Sequence, residues 1–243
     1  MSGHNKWSKV KRQKGVSDAK KAKVFAKLAR EIGIAVRAGG PEADLNPRLR
    51  MILLKCRSAN MPADNIERAI KRAAGDDDSA NFEELTYEIF APGGVAVLVH
   101  AHTGNRNRTA SDVRHIVTKA GGQLASAGAV TRLFHRKGQI IIERSAADED
   151  TLMELALDAG AEDFNADENG YEIVTEPNDF EQVHKAVEEK GIEYLSAEVT
   201  SIALQTTAID ESGAASITRL VDALEENDDV SDVFTNANSP EEA

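Results

Sequence analysis

Five Lys and Arg fall within thirteen residues near the front of the chain, "GHNKWSKVKRQKG" (3–15): Lys6, Lys9, Lys11, Arg12 and Lys14. Cations this dense suit contact with the phosphates of a nucleic acid, where each contact releases counterions. Trp7, the only tryptophan, sits among them and has two readings: stacking on an unpaired base, or anchoring the arm on the fold. A second cationic cluster, "TGNRNRTASDVRH" (103–115), sets Asn105, Arg106, Asn107, Arg108 and Thr109 ahead of a helical pattern. The unpaired amides of a helix start suit phosphate or another anion. Asn107 or Thr109 is the expected cap. The competing reading pairs these arginines with nearby carboxylates, and charge alone favours it.

Other reactive residue types lack the company their chemistry needs. Cys56 lies on an apolar helical stripe and reads as core, since a thiolate nucleophile needs an electropositive, partly exposed setting. His100 and His102 alternate along a strand and share a face, but no third metal ligand follows at a familiar spacing. Asp76, Asp77 and Asp78 read as a solvated linker rather than a metal site. "PGGVAV" lacks the spaced glycines of a dinucleotide loop, and there is no Walker-type loop. These patterns assign no catalytic residue, metal or cofactor.

The charge is split along the chain. Residues 1–75 hold 18 Lys and Arg against 6 Asp and Glu, a net of +12, within a chain of net charge −12, so the remainder carries −24. Such asymmetry points to a nucleic-acid or membrane partner. No apolar run approaches the roughly 18 residues of a membrane span. The basic arm has no apolar region behind it as a secretory signal would. A single cysteine fits a reducing compartment.

The elements that must carry these residues begin with three amphipathic helices. After Ser17, an expected cap, Val24, Leu28, Ile32 and Val36 recur on one face, with Lys20, Lys23, Lys27, Arg30 and Arg37 on the other. Asn46 and Pro47 open a second helix with Leu49, Ile52 and Cys56 inward. A third begins near Pro62, buries Ile66, Ala69, Ile70 and Ala73, and turns Arg68, Lys71 and Arg72 out. A helix-turn-helix would fit three helices, but "RAGGPEADLN" is long for that turn, and no helix pairs Arg with Asn or Gln for reading base edges.

Past the linker at 75–81 the pattern becomes α+β. "LTYEIFAPGGVAVLVHAH" reads as a hairpin, followed by a helix and a strand in "AVTRLFHRKG". Residues 138–203 read βαββαβ, the split sandwich of ferredoxin-like type. A final helix and strand complete the earlier unit. The expected division is therefore 1–75 for the basic arm and helical bundle, 82–137 plus 204–238 for one α+β unit, and 138–203 for a second, inserted unit.

Taken in order, "GHNKW", "NPRLR", "NMPADNIERAIKRA", "PGG" with "TGNRNRT", "VRH", "KAGG", "LF" before "KG", and "ALDAGAED" resemble the YebC (PmpR-type) family from about Gly3 to Phe234. The resemblance implies a helical domain and two α+β domains, one inserted in the other. It also implies a cytoplasmic, non-enzymatic regulator of gene expression. Members are widely labelled probable transcriptional regulators that bind DNA, and relatives include a mitochondrial translational activator tied to the ribosome. In the family, Gly3, His4, Lys6, Trp7 and the following basic helix are expected to face nucleic acid, and the "NRNRT" match carries over to Asn105 through Thr109. His100 replaces a usual acidic residue, and Ala125 stands where glycine is common. The combined expectation is a partner that is DNA or ribosomal RNA, with no small-molecule substrate and no membrane. The favoured contacts are Lys6, Trp7, Lys9, Lys11, Arg12, Lys14, Lys20, Lys23, Lys27 and Arg30. DNA-binding transcriptional control comes first, a ribosome-bound translation factor second and a metal-dependent nuclease last.

Overall fold

In the computed structural model, residues 18–75 and 82–238 are described. Helix α1 (Asp18–Gly39) packs its apolar stripe on α2 (Pro47–Ser58) and α3 (Ala63–Ala74). Ile32, Ala35, Leu49 and Cys56 are wholly buried where the three meet. Val24, the first residue of the expected stripe, remains exposed. Asn46 caps α2 as its sequence position implies: its Oδ1 accepts the Leu49 amide at 3.0 Å, and its Nδ2 donates to the carbonyl of Ala35, tying α2 back to α1.

The remaining fold is α+β, built on two four-stranded antiparallel sheets. The first comprises β1 (Glu83–Phe90), β2 (Ala96–Thr103), β3 (Gln123–Leu124) and β9 (Val230–Thr235), in the order β3-β1-β2-β9. β1 and β2 form the expected hairpin, with Ile89 opposite Val97, across a turn at Pro92–Gly94. Gly93 and Gly94 both take positive φ there, which β-branched residues would resist. Alternation splits β2 between two cores. Val97 and Val99 meet α4 (Arg106–Lys119) and α7 (Glu211–Glu225), while Ala96 and Leu98 meet Val130, Phe134 and Phe234 on the opposite face.

The second sheet runs β5 (Asp163–Ala166), β6 (Gly170–Thr175), β4 (Phe134–Glu143), β7 (Ser196–Ala203), with α5 (Glu149–Asp158) and α6 (Phe180–Glu189) over one face. The chain order β4-α5-β5-β6-α6-β7 is the expected βαββαβ. The first sheet reaches the same two-layer packing by another strand order. A two-residue parallel pair joins β8 (Thr207–Ala208) to β10 (Ala237–Asn238).

One expected boundary is corrected. The strand in "AVTRLFHRKG" and the first strand of the 138–203 unit are a single ten-residue strand, β4, and residues 129–133 form turns ahead of it. Gly138 reads in sequence as a break but lies mid-strand. A Cβ there would collide with Thr175 Oγ1 and sit 2.6 Å from the Phe180 ring, so its bare backbone makes room for that ring. The first sheet's third strand is instead the short β3.

Three elements converge on the inner face of the bundle. α2 lies along edge strand β7, and β7 approaches β9. Lys55 on α2 reaches Asp232 on β9 at 3.3 Å, Glu31 on α1 at 3.5 Å and Glu198 on β7 at 4.0 Å. Burial alone would lower the lysine's pKa, but the three carboxylates outweigh it and the net movement is upward. Glu31 moves up because burial outweighs its attraction to Lys55.

Candidate nucleic-acid interface

Lys6, Trp7, Lys9, Lys11, Arg12 and Lys14 lie outside the described residues, as do the Ser17 cap and the Asp76–Asp78 run. Lys20 belongs to α1, but its side chain is outside the description. Lys23, Lys27 and Arg30 are described, and they are occupied. Lys27 Nζ donates to the carbonyl of Glu225 at 2.6 Å, at the last turn of α7. Lys23 Nζ donates to the Glu226 carbonyl at 3.3 Å and lies 3.5 Å from Asp228 Oδ1. Arg30 donates to the Asp228 carbonyl, sits 3.5 Å from Asp229 Oδ1 and covers the Phe82 ring. Sequence spacing puts these cations on one helical face. Their partners, 198 to 203 residues away, are carbonyls and carboxylates at a helix C-terminus, where the backbone dipole is negative. Burial in this contact pulls Lys27 below its ordinary pKa against the raising effect of Glu225, Asp232 and Asp228.

The second expected cluster is also occupied, and by an anion of the chain itself. Asn105, rather than Asn107 or Thr109, caps α4: its Oδ1 accepts the Arg108 amide at 3.1 Å. Arg106 and Arg108 are therefore inside the helix rather than ahead of it. Arg108 Nη2 donates to Asp229 Oδ2 at 2.6 Å, and the buried hydroxyls of Thr109 and Thr103 lie 2.8 and 3.2 Å from the same oxygen. Burial would raise the pKa of Asp229, but the bonds from Arg108, Thr109 and Thr103 outweigh it, and the carboxylate is held below its usual range. Arg106 and Asn107 are exposed on the same turn. Of the two readings of this motif, pairing with a carboxylate describes Arg108.

The residues given no chemical role by the sequence have clear settings. Cys56 is fully buried, and burial, with the nearby Glu31, pushes its thiol up to about 12, far from a thiolate at neutral pH. His100 and His102 do share a face. His100 packs edge-on against Phe234, and His102 Nε2 lies 3.5 Å from Glu84. Among the described residues no group of three or more His, Cys, Asp or Glu is arranged to hold a metal ion. No described helix is long and apolar enough to cross a membrane.

Burial presses His102 down to about 4, with Arg48, Lys55 and His100 acting the same way and Asp232 opposing. His100 is lowered too, by burial first. A histidine whose folded pKa lies below its unfolded value contributes stability above the unfolded pKa, and that contribution is lost as pH falls toward the folded one. The urea midpoint is therefore expected to drop as pH goes from 7 to 4, with His102 accounting for up to about 3 kcal/mol. A His102→Asn chain should show a shallower decline, and an identical pH profile would refute the assignment.

Sequence reasoning missed Asp229, Lys55 and Glu88, which organise these contacts. Glu88 on β1 accepts the amides of Gly128 at 2.6 Å, Val130 at 2.5 Å and Thr131 at 2.8 Å, holding the turn that leads into β4. The half-buried Ala125 side chain packs against the core cluster of Ala96, Leu98, Val130 and Phe134.

Comparison with known proteins covers both halves of the molecule. The sequence pattern of the TACO1/YebC protein N-terminal domain matches residues 5–76, and that of the TACO1/YebC second and third domain matches residues 82–237. A probable transcriptional regulatory protein of Hathewaya histolytica is 49% identical over 242 residues, 99% of this chain and 98% of that one. Another, from Ruminiclostridium cellulolyticum, is 51% identical over 228 residues, 93% of this chain and 92% of that one. The crystal structure of a conserved hypothetical protein from Aquifex aeolicus matches with a TM-score of 0.82 at 45% identity, covering 92% of each chain.

Proposed function

The chain belongs to the TACO1/YebC family, and from that premise we propose that it is a non-enzymatic cytoplasmic regulator of gene expression that binds nucleic acid through residues 1–40, as a DNA-binding transcriptional regulator. The observation that carries this reading is the charge division, +12 in residues 1–75 against −24 in the rest. A cationic segment grips a phosphate backbone while the acidic remainder is repelled from it. Lys6, Lys9, Lys11, Arg12 and Lys14 supply the dense end of that surface, and Lys20, Lys23, Lys27 and Arg30 continue it along α1. Trp7 stacks on a base or holds the arm to the bundle. No small-molecule substrate or cofactor enters this reading. The names of the Hathewaya and Ruminiclostridium relatives support regulation of transcription.

Ribosomal RNA is the second reading, and one observation favours it. On α3, Arg68 is folded back onto Asn65 and the Asp64 carbonyl rather than held out to read base edges. An arm that grips backbone, beside a helix whose Arg68 is not offered to base edges, suits structured RNA, where shape and backbone carry recognition.

Neutralising Lys9, Lys11, Arg12 and Lys14 together is expected to flatten the slope of log affinity against log salt by about 0.7 to 0.9 for each phosphate no longer neutralised, about 3 in all. An unchanged slope would remove the arm from the interface. A photoreactive group replacing Trp7, crosslinked in cells, separates the two partners: discrete promoter fragments support the first reading, and ribosomal RNA alone supports the second.

A further inference from the structure

The face of α1 assigned to nucleic acid is covered by a segment of the same chain. Lys23, Lys27 and Arg30 converge on the end of α7 and the turn after it, where four of five residues are acidic: Glu225, Glu226, Asp228 and Asp229. A run of carboxylates beside the terminal carbonyls of a helix presents these cations with the type of charge that phosphates would. Both cannot hold the same ammonium and guanidinium groups. We propose that the 225–229 turn is an internal competitor for nucleic acid, so that binding along α1 requires the turn to be displaced.

The geometry grades this contact from loose to firm. At the outer edge, the side chains of Lys23 and Asp228 are 55% and 67% exposed, and such a pair is weak and readily screened by salt. At the inner edge, Asp229 is 6% exposed and fixed by Arg108, Thr103 and Thr109, independently of α1. The "NRNRT" motif thus anchors the competitor at Asp229 and leaves Asp228 and the α7 carbonyls as its releasable part. A phosphate backbone arriving along the arm meets Lys23 first, then Lys27, then Arg30, peeling the turn away from its weak side. Nucleic-acid occupancy is thereby coupled to the seating of the helical bundle on the first sheet.

This inference rests on the nucleic-acid reading of α1, and the experiment keeps the two apart. Cysteines introduced as Lys23→Cys and Glu226→Cys in the full chain are bridged with a short bismaleimide, Cys56 being buried. Bridged and unbridged protein carry the same engineered charges, and each is titrated with a duplex of about 25 base pairs, longer than the roughly 16-base-pair span of a double-stranded RNA-binding module, and with an RNA hairpin. Bridging is expected to weaken binding at least about tenfold and to flatten the salt slope by about 1.5, since Lys27 and Arg30 then no longer reach phosphate. Asp228→Asn should bind several-fold more tightly than the natural chain, while Glu154→Gln, the same charge change on exposed α5, should not. Equal affinity and slope with and without the bridge would overturn the internal competitor and leave the nucleic-acid reading standing. Absence of binding to either probe by the natural chain would overturn both.

Discussion

Lys55→Ala is expected to lower the unfolding free energy by about 3 to 5 kcal/mol, the usual cost of leaving buried charges without their partner. The lysine side chain is 21% exposed, and those of its partners Glu31, Glu198 and Asp232 only 10 to 18%. Without the ammonium, these carboxylates from α1, β7 and β9 face one another in a poorly solvated space. The chain must then unfold, separate these elements or take up protons. The loss should therefore be larger at about pH 7.5 than at about pH 5.5, where Glu31, already pushed upward by burial, is protonated in the variant. Removing two of the three negative charges with Glu31→Gln and Asp232→Asn in the Lys55→Met background should recover much of the loss. A urea series in which Lys55→Ala costs less than about 1 kcal/mol would show that the cluster is solvated and structurally minor.

Glu88→Ala is expected to cost about 3 kcal/mol, because three amides lose one shared acceptor and each unpaired buried donor costs about 1 to 3 kcal/mol before water reaches it. Val130 is wholly buried and has no easy route to water. Hydrogen exchange at Gly128, Val130 and Thr131 should speed up selectively, whereas Glu88→Gln, which keeps one acceptor oxygen, should fall between. Burial would raise the pKa of Glu88, but the bonds from Thr131, Gly128 and Val130 outweigh it and hold the carboxyl below its ordinary value. With a depressed folded pKa, its contribution is complete above the ordinary carboxylate pKa and is lost as pH falls through the folded one. Unchanged exchange in the alanine chain would mean that the turn is held by its apolar contacts alone.

The parts of this molecule legible in the sequence are those governed by local period. Leu28, Ile32 and Val36 mark α1 at helical spacing, Leu49, Ile52 and Cys56 mark α2, and all six are buried where those helices meet. The βαββαβ order is legible because each strand there is bounded by turn residues. Gly138 misleads for the same reason: local rules treat a glycine as punctuation, whereas this one leaves room for Phe180 from another element. The cap of α4 falls two residues before its earlier expected position because Asn105, Asn107 and Thr109 all carry capping side chains, and the hydroxyl of Thr109 is engaged by Asp229, 120 residues away. Lys55, Glu88 and Asp229 are invisible on the same grounds. Each is an ordinary charged residue in its own window and acquires meaning only from partners 24 to 199 positions distant. The cationic side of α1 is legible as a helical face, but nothing local reveals what lies against it.

The pairing of Phe134 with Ala203 joins the first residue of β4 to the last of β7 across adjacent antiparallel strands. Both crossings into the second sheet are therefore side by side, like the two leads of a plug. The segment between them pairs its own strands into the second sheet, and that pairing brings its two ends together, so the loop is closed by contacts made within it. Loops inside the second sheet can be lengthened or shortened while the first sheet keeps its register, provided β4 and β7 still meet at Phe134 and Ala203.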